Sequence, residues 1–210
     1  MRFRDREHAG DVLANLVSET LSDVTDGIVL GLPRGGVPVA ARVATFMGLS
    51  LDVFLVRKLG LPGHEELAMG AIATGGIRVL NNDVLTHYGV AETTVEEVAA
   101  SELVEIQRRE RLYRGDRPAL DLGGRDVILV DDGIATGASI RAAIEAVAAT
   151  DAMSVVVAVP VAPVSWRSEM PSAVDELIVV QTPEPFSAVG WWYRDFTQTT
   201  DGEVQELLAR

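Results

Sequence analysis

Five short stretches of the chain read as continuous apolar runs rather than alternating ones: Ile28–Leu32, Leu51–Val56, Val127–Val130, Val155–Val159 and Leu177–Val180. They are rich in β-branched residues, the pattern of strands covered on both faces. Helical patterns separate them. Asp11–Leu21 puts Val12, Leu13, Leu16, Val17 and Thr20 on one stripe, Val37–Met47 follows the first run, and Ser139–Ala149 follows the third. Thr93–Tyr113 is long and charged, with Val95, Val98, Leu103, Ile106 and Tyr113 as its inner face. This alternation predicts an α/β fold: a doubly wound, mainly parallel five-stranded sheet with helices on both faces. At 210 residues a single domain over 1–210 is expected.

Two segments do not fit simple alternation. Leu59–Gly76 is glycine-rich and predicts a flexible loop leading into a hairpin across 59–80. The second strand there is Ile77–Leu80, turned by Gly75-Gly76. Residues 182–200 hold Pro183, Pro185, Phe186, Trp191, Trp192 and Tyr193, and predict a small aromatic hood over the sheet edge rather than a strand.

The run Val127-Ile128-Leu129-Val130 ends in Asp131-Asp132 and continues as Gly133-Ile134-Ala135-Thr136-Gly137-Ala138-Ser139 into a helical pattern. Burying the run drives both carboxylates out at the C-terminal edge of the sheet, where open α/β folds bind ligands. Gly133 and Gly137 let the loop turn tightly, so its N–H groups converge on an anion at the helix N-terminus. Acids beside an anion cradle make sense for a ligand with both hydroxyls and phosphate. A ribose 5-phosphate has both: the acids accept from its diol and the loop holds its phosphate.

This segment resembles the 5-phosphoribosyl-1-diphosphate (PRPP) signature of type I phosphoribosyltransferases: hydrophobic residues, two acids, two spacers, a hydroxyl pair, Gly, any residue, then Thr or Ser. Asp131, Asp132, Thr136, Gly137 and Ser139 fill their places, and Ala135 replaces the first hydroxyl. The resemblance extends from Phe3 to the C-terminus, closest to a little-characterised bacterial phosphoribosyltransferase-like group that shares Gly31–Pro38, Val56–Gly60 and Thr182–Phe186. It implies a Mg²⁺-dependent cytoplasmic transferase of nucleotide metabolism. Such an enzyme moves the phosphoribosyl group of PRPP to a nitrogenous acceptor, a nucleobase in the family's usual chemistry, and releases pyrophosphate. Asp131 and Asp132 would then be catalytic and near Mg²⁺, held mostly through substrate and water, and Gly133, Ile134, Ala135, Thr136, Gly137, Ala138 and Ser139 would line the PRPP site.

A second glycine-rich strand-to-helix connection, Gly31-Leu32-Pro33-Arg34-Gly35-Gly36, is similar to the pyrophosphate loop of purine-salvage members, in which the loop's first peptide bond is often cis. Arg34, Gly35 and Gly36 inherit pyrophosphate binding; a merely tight turn would explain the glycines but leave Arg34 idle. Lys58 is the only lysine among 18 basic side chains. With Arg57 it follows the second strand, placing both at the sheet edge near the acids, with Lys58 as a catalytic point charge on the pyrophosphate. Leu59–Gly70 would be the lid, and His64, Glu65 or Glu66 would touch substrate in a closed state or stay solvated. In the hood, Phe186 through Trp191 is similar to the C-terminal segment of hypoxanthine-guanine members, so Phe186 and Asp195 inherit base-side roles. Core packing would account for these aromatics equally well.

Competing motifs fail. Neither loop has Gly-Lys-Ser/Thr or G-x-G-x-x-G spacing, and His8, His64 and His87 are scattered. A net charge of −13 opposes nucleic acid and anionic membranes. No run approaches the roughly 18 residues of a membrane span, and Met1–Glu7 lacks the apolar stretch of a secretory signal. The absence of cysteine excludes disulfides and thiolates and is compatible with a reducing cytoplasm. Two further readings share the pocket: a PRPP sensor without turnover, and a hydrolase of phosphoribosyl compounds. A homodimer stays open.

Overall fold

The computed structural model describes all 210 residues. In chain order the elements are α1 (Arg6–Thr20), β1 (Gly27–Gly31), α2 (Gly36–Met47), β2 (Ser50–Val53), β3 (Val56–Leu61), β4 (His64–Ala73), β5 (Arg78–Leu80), α3 (Asn82–Tyr88), α4 (Glu92–Arg114), β6 (Asp126–Val130), α5 (Ala138–Ala148), β7 (Ser154–Val161), β8 (Glu176–Gln181) and α6 (Asp201–Leu208). Five parallel strands run in the order β2-β1-β6-β7-β8, and β3-β4-β5 form a separate antiparallel sheet.

The five predicted runs are the five parallel strands, and the reason their sequences do not alternate is visible in the packing. Ile28, Leu30, Val127 and Leu129 face α5, against Ile140, Ala143 and Ile144. Their neighbours Val29, Ile128 and Val130 face α1 and α2, against Leu13, Val17, Val39 and Val43. With apolar partners on both sides, no position of the central strands can be polar. No helix is long and apolar enough to cross a membrane.

Three local differences from the sequence reading matter for the site. Helix α1 starts at Arg6, not Asp11, because the Asp5 side chain caps it, accepting from the His8 amide at 2.8 Å. The run Leu51–Val56 is shared between two sheets. Leu55 leaves the parallel sheet and pairs with Thr74, whose Oγ1 accepts from the Leu55 amide at 2.9 Å while its own amide donates to the Leu55 carbonyl at 2.9 Å. The glycine-rich stretch expected as a loop is itself a hairpin, β3 to β4. Leu61 pairs with His64 around Pro62-Gly63, and Gly63 has φ +81°, the residue pattern of a type II turn. The further turn at Thr74–Gly76 into β5 lies where the sequence placed it. Residues 182–200 hold no strand. A single 3-10 turn, Val189–Trp192, leads to Tyr193, which is buried against Phe3.

A third core joins this small sheet to α4 and α6 through Leu59, Leu61, Met69, Ile72, Val95, Ile106, Tyr113, Val204 and Leu208. The C-terminal end of α4 is fixed by a bidentate ion pair: Arg114 Nε and Nη2 donate to the two Asp52 oxygens at 3.0 and 3.1 Å, with both side chains 9% exposed. Breaking a pair this buried strands one charge. Asp52→Ala is expected to cost about 3 kcal/mol. In a thermal melt this appears as a midpoint lowered by roughly 6–12 °C.

Candidate functional site

Parallel pairing of β1 with β6, Gly31 opposite Val130, places the loops that follow these strands side by side. The two glycines of the first loop make their contact possible. A Cβ at Gly36 would lie 2.7 Å from the Val130 carbonyl oxygen and 2.9 Å from Asp131 Cα, and one at Gly35 would collide with the Asp132 carboxylate. Gly35 and Gly36 therefore meet Asp132 and Asp131 directly. The peptide bond between Pro33 and Arg34 is cis, as the resemblance implied. The Arg34 guanidinium stands 3.7 Å from Asp201, the first residue of α6.

Beyond the acids, the segment Gly133–Ile140, together with Asp131, encloses a cavity of about 180 Å³. The Ile134 amide is taken by the Val161 carbonyl at 2.9 Å, but the amides from Ala135 to Ile140 donate to no backbone acceptor. The hydroxyls of Thr136 and Ser139, both exposed, are likewise unbonded within the protein. These are the open donors of a helix N-terminus and the loop before it, lining one cavity. Gly137 has φ +74°, and a Cβ there would strike the indole nitrogen of Trp166, so the turn requires glycine twice over.

The two carboxylates differ. Asp131 lines the cradle, and its Oδ1 accepts only the next amide, Asp132 N–H, at 2.8 Å. Burial, then the neighbouring charge of Asp132, pushes its carboxyl well above the ordinary value. Asp132 is also raised by burial, but Arg6 opposes the shift. Arg6 Nε donates to Asp132 Oδ2 at 2.8 Å, its Nη1 donates to the Thr197 carbonyl at 2.7 Å, and its guanidinium lies 3.9 Å from the centre of the Phe196 ring. Tyr193 adds a hydrogen bond from its hydroxyl to the Asp132 carbonyl at 2.6 Å. Neither Arg6 nor Tyr193 was singled out for the site in the sequence; their partners lie 126 and 61 residues away.

Arg57 and Lys58 are not on the parallel sheet edge as expected but on β3 of the antiparallel sheet, where adjacent side chains point to opposite faces. Arg57 turns to α4 and pairs with Glu102 at 2.5 Å. Lys58 turns the other way, into a groove of about 600 Å³ with Ala138 and Arg141 of α5, and has no carboxylate within ion-pair distance. Asp195 is exposed, and its carboxyl is held below the ordinary value by hydrogen bonds from the Thr197 hydroxyl and amide. It borders a groove of about 780 Å³ shared with Arg6 and Glu203. Phe186 is half-buried in the hood and lines neither that groove nor the cradle.

Because the folded Asp131 carboxyl holds its proton more tightly than the unfolded one, its contribution to stability is full below about pH 4. That contribution is lost as pH rises through the raised folded value. Asp131→Asn is therefore expected to raise the melting midpoint at pH 8 by about 2–4 °C, roughly 1 kcal/mol, and to leave it unchanged at pH 4. A midpoint lowered at pH 8 would mean that the charge is compensated in the folded state.

Residues 5–180 match the model of the phosphoribosyl transferase domain. A protein found in two Mycobacterium tuberculosis strains, provisionally named a phosphoribosyl transferase, is 44% identical over 208 residues. The match covers 99% of this chain and 46% of that protein, so the chain spans about half the length of these curated relatives. A crystal structure from Thermus thermophilus is 43% identical, covers 99% of this chain and 98% of its own, and superposes with a TM-score of 0.89. A Neisseria gonorrhoeae protein solved with bound ppGpp shares the fold at a TM-score of 0.52 and 14% identity, covering 100% of this chain and 97% of that one. With an open-amide cradle and two acids at the end of β6, and a family match over most of its length, the chain belongs to the type I phosphoribosyl transferase domain family.

Proposed function

We propose that the chain is a Mg²⁺-dependent phosphoribosyltransferase that moves the 5-phosphoribosyl group of PRPP to a nitrogenous acceptor, a nucleobase or similar ring, and releases pyrophosphate. The observation that carries this reading is the contact between two loops: open amides and Asp131 on one, Arg34 and two closely packed glycines on the other. A sugar bearing phosphate at one end and pyrophosphate at the other fits that pairing.

The amides of Ala135–Ile140 and the hydroxyls of Thr136 and Ser139 would hold the 5-phosphate. Asp131 and Asp132 would accept from the ribose diol and face the positive charge that develops at C1 as the bond to pyrophosphate lengthens. Arg6 holds Asp132 in place for that task and favours its charged form against burial. Arg34 would take up negative charge on the departing group, and Lys58, beside Ala138, adds positive charge on the cradle side. Asp131 has no cationic partner and no three acids cluster, a donor set that suits Mg²⁺ held through substrate oxygens and water near Asp131 and Asp132. When bound, the ion supplies charge neutralisation on the pyrophosphate. Phe186 and Asp195 belong to the hood, from which the acceptor would be contacted.

Incubation with PRPP, Mg²⁺ and a panel of bases, followed by pyrophosphate measurement, tests the assignment. Release that depends on an acceptor is the expected result. Release without one identifies a hydrolase, and PRPP binding with no release identifies a sensor. Asp131→Asn combined with Asp132→Asn is expected to abolish turnover and weaken ribose 5-phosphate binding at least about tenfold while the far-UV spectrum is kept. Unchanged affinity in the double variant would remove the acids from the site.

A further inference from the structure

We propose that Arg109, on α4, is a further arginine of the pyrophosphate pocket, so that the helix packed on the hairpin also binds the leaving group. This rests on the transferase reading above and extends it to a residue far from the two signature loops.

The evidence begins with the helix's own periodicity. The buried residues of α4 are Val95, Ala99, Ile106 and Tyr113. Steps of three and four continue the stripe as 95, 99, 102, 106, 109, 113, so Glu102 and Arg109 lie on its line, half-buried with side chains 24% and 35% exposed. A charge on the inner stripe of a helix needs a partner or a ligand. Glu102 has its partner in Arg57. Arg109 has half of one: its Nε donates to Glu105 at 2.6 Å, a residue one turn earlier on the same helix, while its two Nη nitrogens bond nothing.

Those free nitrogens belong to a side chain that lines a narrow cleft with Leu32, Pro33, Arg57 and Ser139. The cleft therefore touches the pyrophosphate loop, the last residue of the phosphate-loop signature and β3 together. Its volume of about 60 Å³ equals about two water molecules, room for the end of a phosphate chain and not for a ring. Arg34 reaches the same neighbourhood through Tyr113 and Asp201. The Tyr113 hydroxyl donates to Asp201 at 2.6 Å, and Asp201 stands 3.7 Å from Arg34. Tyr113 is pushed up to about 12 by burial and then by Asp201, against the pull of both Arg109 and Arg34. Two guanidiniums thus act on one hydroxyl at the mouth of the loop. In a chain of net charge −13, Arg34, Arg57 and Arg109 gather near this loop, each beside one carboxylate and each a planar fork suited to phosphoryl oxygens. Glu102 and Glu105 hold two of the forks through Nε and leave the Nη edges free.

Calorimetric titration of the full chain with magnesium pyrophosphate, and separately with ribose 5-phosphate, tests the assignment in Arg109→Ala and Arg109→Lys. Arg109→Ala is expected to weaken pyrophosphate about tenfold and ribose 5-phosphate by no more than about twofold, and Arg109→Lys to recover part of the loss. Pyrophosphate affinity equal to the parent's overturns the assignment. So does equal weakening of both ligands with a lowered melting midpoint, the mark of a structural role. A parent that binds neither ligand overturns the transferase reading itself, and this inference with it.

Discussion

Two adjacent carboxylates, the second held by a guanidinium, set the terms for the rest of the molecule. Asp131 and Asp132 follow a strand whose residues Val127–Val130 are buried, so both acids emerge at a single point with little water around them. Arg6 neutralises Asp132 alone, and does so from the first turn of α1, in a position braced by the Thr197 carbonyl and the Phe196 ring. The chain's first helix and its hood are thereby both tied to Asp132, through its carboxylate and its carbonyl. Asp131 is left without a cation, an arrangement that lowers stability and suits a site whose positive charge arrives with the ligand.

The second constraint is distance. Strands β1 and β6 are neighbours about 4.8 Å apart, as any paired strands are, so their following loops must share very little space. Gly35 and Gly36 have no side chain to spare for that gap. The two loops are consequently held together by the sheet itself, with no hinge between them. The hairpin is attached differently, through Thr74 to Leu55 and through α4, which Asp52 and Arg114 tie back to β2.

How much of this was legible follows from where each signal resides. The parallel strands and the Asp-Asp segment are local patterns: continuous apolar runs report burial on both faces, and the turn residues report the cradle. The hairpin was obscured because Leu51–Val56 reads as one strand although its residues serve two sheets, a fact decided by Thr74 twenty residues on. That same break carried Lys58 away from the edge the sequence assigned it. Arg6 was hidden by its surroundings, since alternation with Asp5 and Glu7 made it look like solvated charge. The cap at Asp5 and the Thr200–Glu203 capping box that starts α6 were both readable by rule. Arg109 lay in plain view on the apolar stripe of α4, but a charged helix invites the assumption that every charge points outward.

The anchoring of the hood has a practical consequence for anyone wishing to re-engineer this chain. Tyr193 and Phe3 clasp each other beneath residues 182–200, whereas the stretch from Thr182 to Ala188 carries no regular structure and touches no catalytic loop through a hydrogen bond. Length and aromatic content can therefore vary there with little effect on the fold, while the two interlocked turns, which tolerate almost no added atoms, would have to be inherited unchanged.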